Sequence, residues 1–268
     1  VTLARRRAAA ALAALPLACA AAPAALATTR GHRRKPALHL AGDSTAAQKY
    51  ADAAPETGWG MALPFFLHRD VPVVNHAVNG RSAKSFVDEG RLAAALAALR
   101  PDDLLLVQFG HNDEKKEDPA RYTEPWTTYQ DYLRQYLDGA RDRGARPVLL
   151  TSVERRRFDA GGNALPTHGE YPAAMRSLAA EAAVPLLDLQ ARSLALWQQL
   201  GPEETKAYFN WTPSEQDNTH FNPPGATAVA RLVAAGLAEE RLLAPHAVRR
   251  LDDDVPTSWI TWPEGEET

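Results

Sequence analysis

The chain has 268 residues, a formal net charge of −3 and a single cysteine, Cys19. That charge balance speaks against a nucleic-acid-binding protein, which would carry a basic surface. One cysteine near the start excludes a disulfide framework or thiol catalysis in the rest of the chain.

The first residues read as an export signal. Arg5-Arg6-Arg7 is a positive n-region, 8–24 is an alanine- and leucine-rich apolar run, and Ala25-Leu26-Ala27 is an A-x-A cleavage pattern. The run is broken by Pro16 and is short of a clean membrane span. An amphipathic first helix would need a polar face, which this run almost lacks. Pro16-Leu17-Ala18-Cys19 could be read as a lipoprotein site, but its register is poor. The expectation is a signal peptide over 1–27, a basic linker over 28–36 and a secreted or periplasmic protein with no membrane association after cleavage. Roughly 240 residues would remain, enough for one domain with a large core.

Strand-like and helix-like segments alternate from there, which predicts an α/β fold around a parallel sheet. The first strand is 38–41. A helix follows over 58–68, with Met61, Leu63, Phe65 and Phe66 as apolar bulk. The second strand is 71–78 and runs into a turn, Asn79-Gly80-Arg81-Ser82. An alanine-rich helix spans 91–99, before Pro101. The third strand, 103–109, contains Leu104-Leu105-Leu106-Val107, the continuous apolar run of a strand covered on both faces. A helix over 126–143 is closed by Gly144, and the fourth strand is 146–152. Residues 154–169 read as a surface loop, 170–183 as a helix, 184–189 as the fifth strand and 191–200 as a helix. Residues 202–216 read as irregular or short-helical. Asn222 with Pro223 reads as the start of a last helix reaching Ala235. The domain is expected over 37–245, and 246–268 is a C-terminal arm of unknown role.

Ligand sites in parallel sheets lie beyond the carboxyl ends of the strands. Ser44 follows the first strand, Gly80 the second and Asn112 the third. Asp217 and His220 precede the last helix, where a loop could fold back over that rim. These are the parts for acyl transfer. A serine hydroxyl needs a base to take its proton, His220 is the candidate base, and Asp217 is the carboxylate that would hold the ring. The backbone N–H groups of Ser44 and Gly80 and the side-chain amide of Asn112 could donate to the oxyanion. Glycine at 80 would let the backbone approach the substrate oxygen closely.

Gly42-Asp43-Ser44, Gly80, Gly110-His111-Asn112-Asp113 and Asp217-x-x-His220 resemble the four blocks of the SGNH, or GDSL, hydrolases, in that family's order. Gly58-Trp59-Gly60-Met61, Asn79-Gly80-Arg81-Ser82, and Asp217-x-Thr219-His220-Phe221-x-x-x-Gly225-Ala226 look like the rhamnogalacturonan acetylesterases, carbohydrate esterase family 12. The resemblance implies a three-layer α/β/α flavodoxin-like fold with a central five-stranded parallel sheet. It also implies metal-free and cofactor-free serine esterase chemistry on acetylated plant cell-wall polysaccharide. Ser44 would be the nucleophile, His220 and Asp217 base and orienter, and Ser44, Gly80 and Asn112 the oxyanion donors. Acetylated xylan or a short-chain ester is the alternative substrate, and a non-catalytic carbohydrate-binding protein is the alternative class.

Three further residues are expected at the substrate. His111 either lines the acetyl pocket or braces its loop. Trp211 is the candidate sugar platform. Arg157, with Arg155 and Arg156, could attract galacturonate carboxylates. Asp43 and Asp113 are expected to shape turns. The remaining histidines lack metal-ligand spacing. The expected assembly is a monomer.

Overall fold

The structure, a computed structural model, describes residues 35–265. The expected signal peptide and most of the expected linker lie outside the described residues. Five parallel strands form the central sheet in the order β2-β1-β3-β4-β5. They are β1 (Leu38–Gly42), β2 (Val73–Asn75), β3 (Leu104–Gln108), β4 (Arg146–Leu150) and β5 (Leu186–Leu187). This is the flavodoxin-like order, whose direction of winding reverses between β1 and β3.

Alternating side chains of the central strands feed two separate cores. Leu38, Leu40, Leu104, Leu106, Val148 and Leu150 point to one face. There they meet Trp59 of α1 (Trp59–Ala62), Trp197 of α6 (Leu189–Glu204) and Val229 and Val233 of α7 (Pro223–Glu239). Ala41, Leu105, Val107 and Leu149 point to the other face. They pack on Phe86 of α2 (Ala83–Asp88), Leu92 of α3 (Arg91–Ala98), Leu137 of α4 (Gln130–Asp142) and Met175 of α5 (Tyr171–Glu181). The unbroken apolar run of β3 is thus explained by two covered faces, and the expected three-layer α/β/α fold is borne out.

Several expected elements differ. The regular second strand covers only Val73–Asn75, paired with Leu38 to Leu40, although the His76 and Val78 N–H groups beyond it still donate to the Leu40 and Gly42 carbonyl oxygens at 2.8 and 3.1 Å. Residues 83–88, which the sequence leaves unassigned between the turn at 79–82 and the helix at 91–99, form α2. Its Ser82 hydroxyl accepts from the Ser85 N–H at 3.0 Å and the Ser85 hydroxyl accepts from the Ser82 N–H at 2.9 Å, a reciprocal cap with serine where glutamate is usual. The helix over 126–143 opens with a wide π-type turn, Pro125–Tyr129. The segment read as irregular contains β6 (Phe209–Trp211), which pairs antiparallel with β7 (Gln216–Phe221).

The C-terminal arm is not loose. Val255 and Ile260 are buried in the first core. The Trp262 indole N–H donates to the Glu56 carbonyl oxygen at 2.7 Å, and Ala51 N–H donates to Pro263 at 3.1 Å. Among the described residues no helix is long and apolar enough to cross a membrane.

Candidate active site

The turn after β1 is held from three sides. Asp43, fully buried, accepts from the Thr45 N–H (3.0 Å) and hydroxyl (2.7 Å). Its other oxygen faces His111 Nδ1 at 3.2 Å. Trp59 N–H donates to Thr45 O at 2.8 Å from below. That approach explains Gly58: a methyl group there would lie 1.9 Å from the Ala47 carbonyl oxygen. The Gly58-Trp59-Gly60 stretch is therefore a seat for the Ser44 turn.

Ser44 Oγ lies 3.0 Å from His220 Nε2, and His220 Nδ1 lies 2.7 Å from Asp217 Oδ2. Both Asp217 and His220 sit on β7 rather than in a loop. Asp217 Oδ1 also accepts the N–H of Thr219 (2.6 Å) and of His220 (3.0 Å). Burial raises the Asp217 carboxyl, but the hydrogen bond from His220 and the backbone donors outweigh it and hold it below its ordinary value. Burial works to lower His220. The Asp217 bond and the charges of Glu56 and Asp217 overcome it, so the imidazole is raised above its ordinary value.

Gly80 and Asn112 stand on the same cleft as Ser44 and His220. Gly80 has φ +72°, a left-handed conformation, while a methyl group there would meet only ordinary contact with Arg121 at 3.6 Å. The need for glycine is thus conformational rather than one of space around the residue. Asn112 Nδ2 donates to the Arg81 carbonyl oxygen at 3.1 Å, which fixes the plane of the amide. Among the described residues the Ser44 and Gly80 N–H groups have no acceptor.

His111 lines the cleft and is nearly fully buried. Burial depresses it to about 4, against the opposing charge of Asp43, so it is neutral near pH 7. Burial would raise Asp43, but His111 and the Thr45 donors keep it at about 2. The neutral ring then donates from Nδ1 to Asp43, which leaves Nε2 as an acceptor without a partner among the described residues. His111 therefore braces the turn from the wall of the cleft, with its Nε2 buried.

Trp211 and Arg157 are not among the residues lining the cleft. The Arg156 guanidinium lies 4.5 Å from the Trp211 ring centroid, and Lys206 lies 5.3 Å from it, so the protein's own cations stack on that ring. Arg157 is exposed. The arginine that reaches the cleft is Arg155, paired with Glu114 at 2.5 Å.

Sequence reasoning passed over Lys49 and Glu56. The Lys49 side chain is 1 % exposed; its ammonium pairs with Glu56 at 2.5 Å and bonds the Asn79 side-chain oxygen. The only signal was a lysine close after the serine turn. The whole cleft, about 450 Å³, is lined by Ser44, Glu56, Asn79, Gly80, His111, Asn112, Lys115, Arg155, Thr219 and His220. Among the described residues no group of three or more histidine, cysteine or acidic side chains could hold a metal ion.

Comparison with known proteins agrees with this architecture. The chain is 46% identical over 202 residues to a probable rhamnogalacturonan acetylesterase, YesY, of Bacillus subtilis, covering 75% of this chain and 92% of that one. It is 46% identical over 223 residues to the rhamnogalacturonan acetylesterase RhgT of the same organism, covering 80% and 94%. The crystal structure of Bacillus subtilis YxiM superposes with a TM-score of 0.69 at 28% identity, over 77% of this chain and 57% of that longer one. Residues 40–228 match the GDSL-like Lipase/Acylhydrolase family. The match contains Ser44, Gly80, Asn112, Asp217 and His220, and the chain belongs to that family, in its rhamnogalacturonan acetylesterase-like branch, as a carboxylic ester hydrolase.

Proposed function

We propose that this protein removes acetyl groups from rhamnogalacturonan by a Ser-His-Asp acyl-enzyme mechanism. The observation that carries the reading is the unbroken relay from Ser44 Oγ through His220 to Asp217, at 3.0 and 2.7 Å, opening on the cleft. The names of the two relatives at 46% identity support the substrate.

Ser44 Oγ attacks the acetyl carbonyl as His220 Nε2 takes its proton. Asp217 holds the other ring nitrogen and stabilises the imidazolium. The carbonyl oxygen becomes an oxyanion, met by the N–H groups of Ser44 and Gly80 and the Asn112 amide. Collapse breaks the ester bond, and His220 returns the proton to the departing sugar hydroxyl. Water then attacks the acetyl-enzyme with the same histidine as base, and acetate leaves. Secretion belongs to the same proposal, on the basis of the export-signal pattern at 1–27.

Acetate release is to be measured from acetylated rhamnogalacturonan, homogalacturonan and xylan, with wild type and Ser44→Ala. The expected result is release from rhamnogalacturonan above the other two, abolished in the variant. Equal rates on xylan would sink the substrate assignment, and an active Ser44→Ala would sink the mechanism.

A further inference from the structure

Beyond the histidine, three charged side chains line the cleft: Glu56, Lys115 and Arg155. Two are answered by partners. Glu56 is paired with buried Lys49, and Arg155 with Glu114, each at 2.5 Å. The Lys115 ammonium makes no hydrogen bond or ion pair among the described residues. Its backbone is anchored beside the oxyanion amide, since Lys115 N–H donates to the Asn112 carbonyl oxygen at 3.3 Å.

The surroundings of Lys115 favour an incoming anion. Its side chain is half-buried, and its pKa is lowered by that burial and then by the charges of Arg121 and Arg155. The nearest acids are committed or insufficient. Glu114 is held by Arg155, Asp118 pairs with Arg121 at 2.5 Å, and the charges of Glu117 and Asp118 offset only part of the shift. An ammonium crowded by two guanidiniums and lacking an acceptor gains most from a bound carboxylate, through a charge-assisted hydrogen bond. Glu56, on the same cleft, disfavours an anion beside it. A bound acid would therefore be directed to Lys115.

We propose that Lys115 is the specificity-determining residue that binds the carboxylate of a uronic acid unit neighbouring the acetylated sugar, with Arg155 beside it. One ammonium matches one carboxylate, so the ligand class is a monoanionic sugar acid. This rests on the acetylesterase reading above and adds which charge selects an acidic chain over a neutral one. It moves the expected cationic contact from Arg157 to the loop after β3.

The test uses hydrolysis of nitrophenyl acetate by the full chain, with oligogalacturonate as competitor and a xylo-oligosaccharide of equal length as neutral control. Wild type should be inhibited by oligogalacturonate and much less by the neutral oligomer. Lys115→Met should raise the inhibition constant for oligogalacturonate about tenfold, the scale of one charge-assisted bond. Lys115→Arg should restore most of the inhibition. Each variant's own uninhibited rate is its baseline, which separates lost binding from lost folding. Inhibition of Lys115→Met equal to that of wild type would overturn the proposal. So would equal inhibition of wild type by the neutral oligomer. If wild type is inhibited by oligogalacturonate yet releases no acetate from rhamnogalacturonan, the substrate assignment fails while the carboxylate site stands.

Discussion

Asp217 and His220 share one strand and still meet through their side chains, 2.7 Å apart. Residues three apart on a regular strand point to opposite faces. Here the Asp217 carboxylate folds back over the backbone N–H groups of Thr219 and His220, and the strand is irregular against β6. One carboxylate thus shapes the backbone with one oxygen and orients the imidazole with the other.

That double role sets the acid limb of activity. His220 must be neutral to act as base, and its pKa is raised above the ordinary imidazole value. Activity should therefore be lost, as pH falls, at a pH above the roughly 6.5 of a free imidazole. Asp217→Asn removes a group that raises the imidazole, so the limb should move to lower pH, while kcat falls on the order of 10³–10⁴. A pH–rate profile for both proteins checks the sign. A limb that moved upward in the variant would contradict the assignment.

Asn112→Ala should lower kcat on the order of 10²–10³, the effect of losing one oxyanion donor, with KM little changed. The variant also loses the bond to the Arg81 carbonyl oxygen. Circular dichroism and a melting curve should accompany the kinetics, so that a drop in turnover is read on a folded protein.

Lys49 is a buried ammonium whose neutralising partner is Glu56. Glu56→Gln should destabilise the protein by about 3 kcal/mol, because an uncompensated charge stays buried. Replacing both, as Lys49→Met with Glu56→Gln, should recover much of that loss. Urea unfolding of the two single variants and the double gives the coupling directly. Additive losses would show that the pair is not coupled.

Ile260→Ala should cost about 2–4 kcal/mol, as for other large-to-small changes in a packed core. Trp262→Phe should cost about 1 kcal/mol, the worth of its hydrogen bond to Glu56. Small losses at both positions in denaturant melts would mean that the arm adds little to the fold.

The sheet was legible in the sequence because its strands are buried on both faces, and Leu104 to Val107 has no other economical reading. The candidate site was legible because Ser44, Gly80 and Asn112 each follow a strand. What was not legible depended on partners far away in the chain. The Asn75 side chain, at the end of β2, reaches the Ala46 carbonyl oxygen. The Gln216–Phe221 strand has a weak local pattern and is fixed by pairing with Phe209–Trp211. Trp211 carries no sign of its neighbours in the sequence, and only the fold puts Arg156 and Lys206 against it. Lys49 carries no local sign of burial, since its partners are Glu56 in the next loop and Asn79 beyond β2.

The bond from Trp262 to Glu56 joins residues 206 positions apart. The loop carrying one wall of the cleft is therefore synthesised long before the segment that clamps it. A chain arrested upstream of Ile260 could already hold Ser44, Asp217 and His220, yet it would lack the brace behind Glu56. That wall of the cleft is thus braced only once a segment 206 positions further along the chain has emerged.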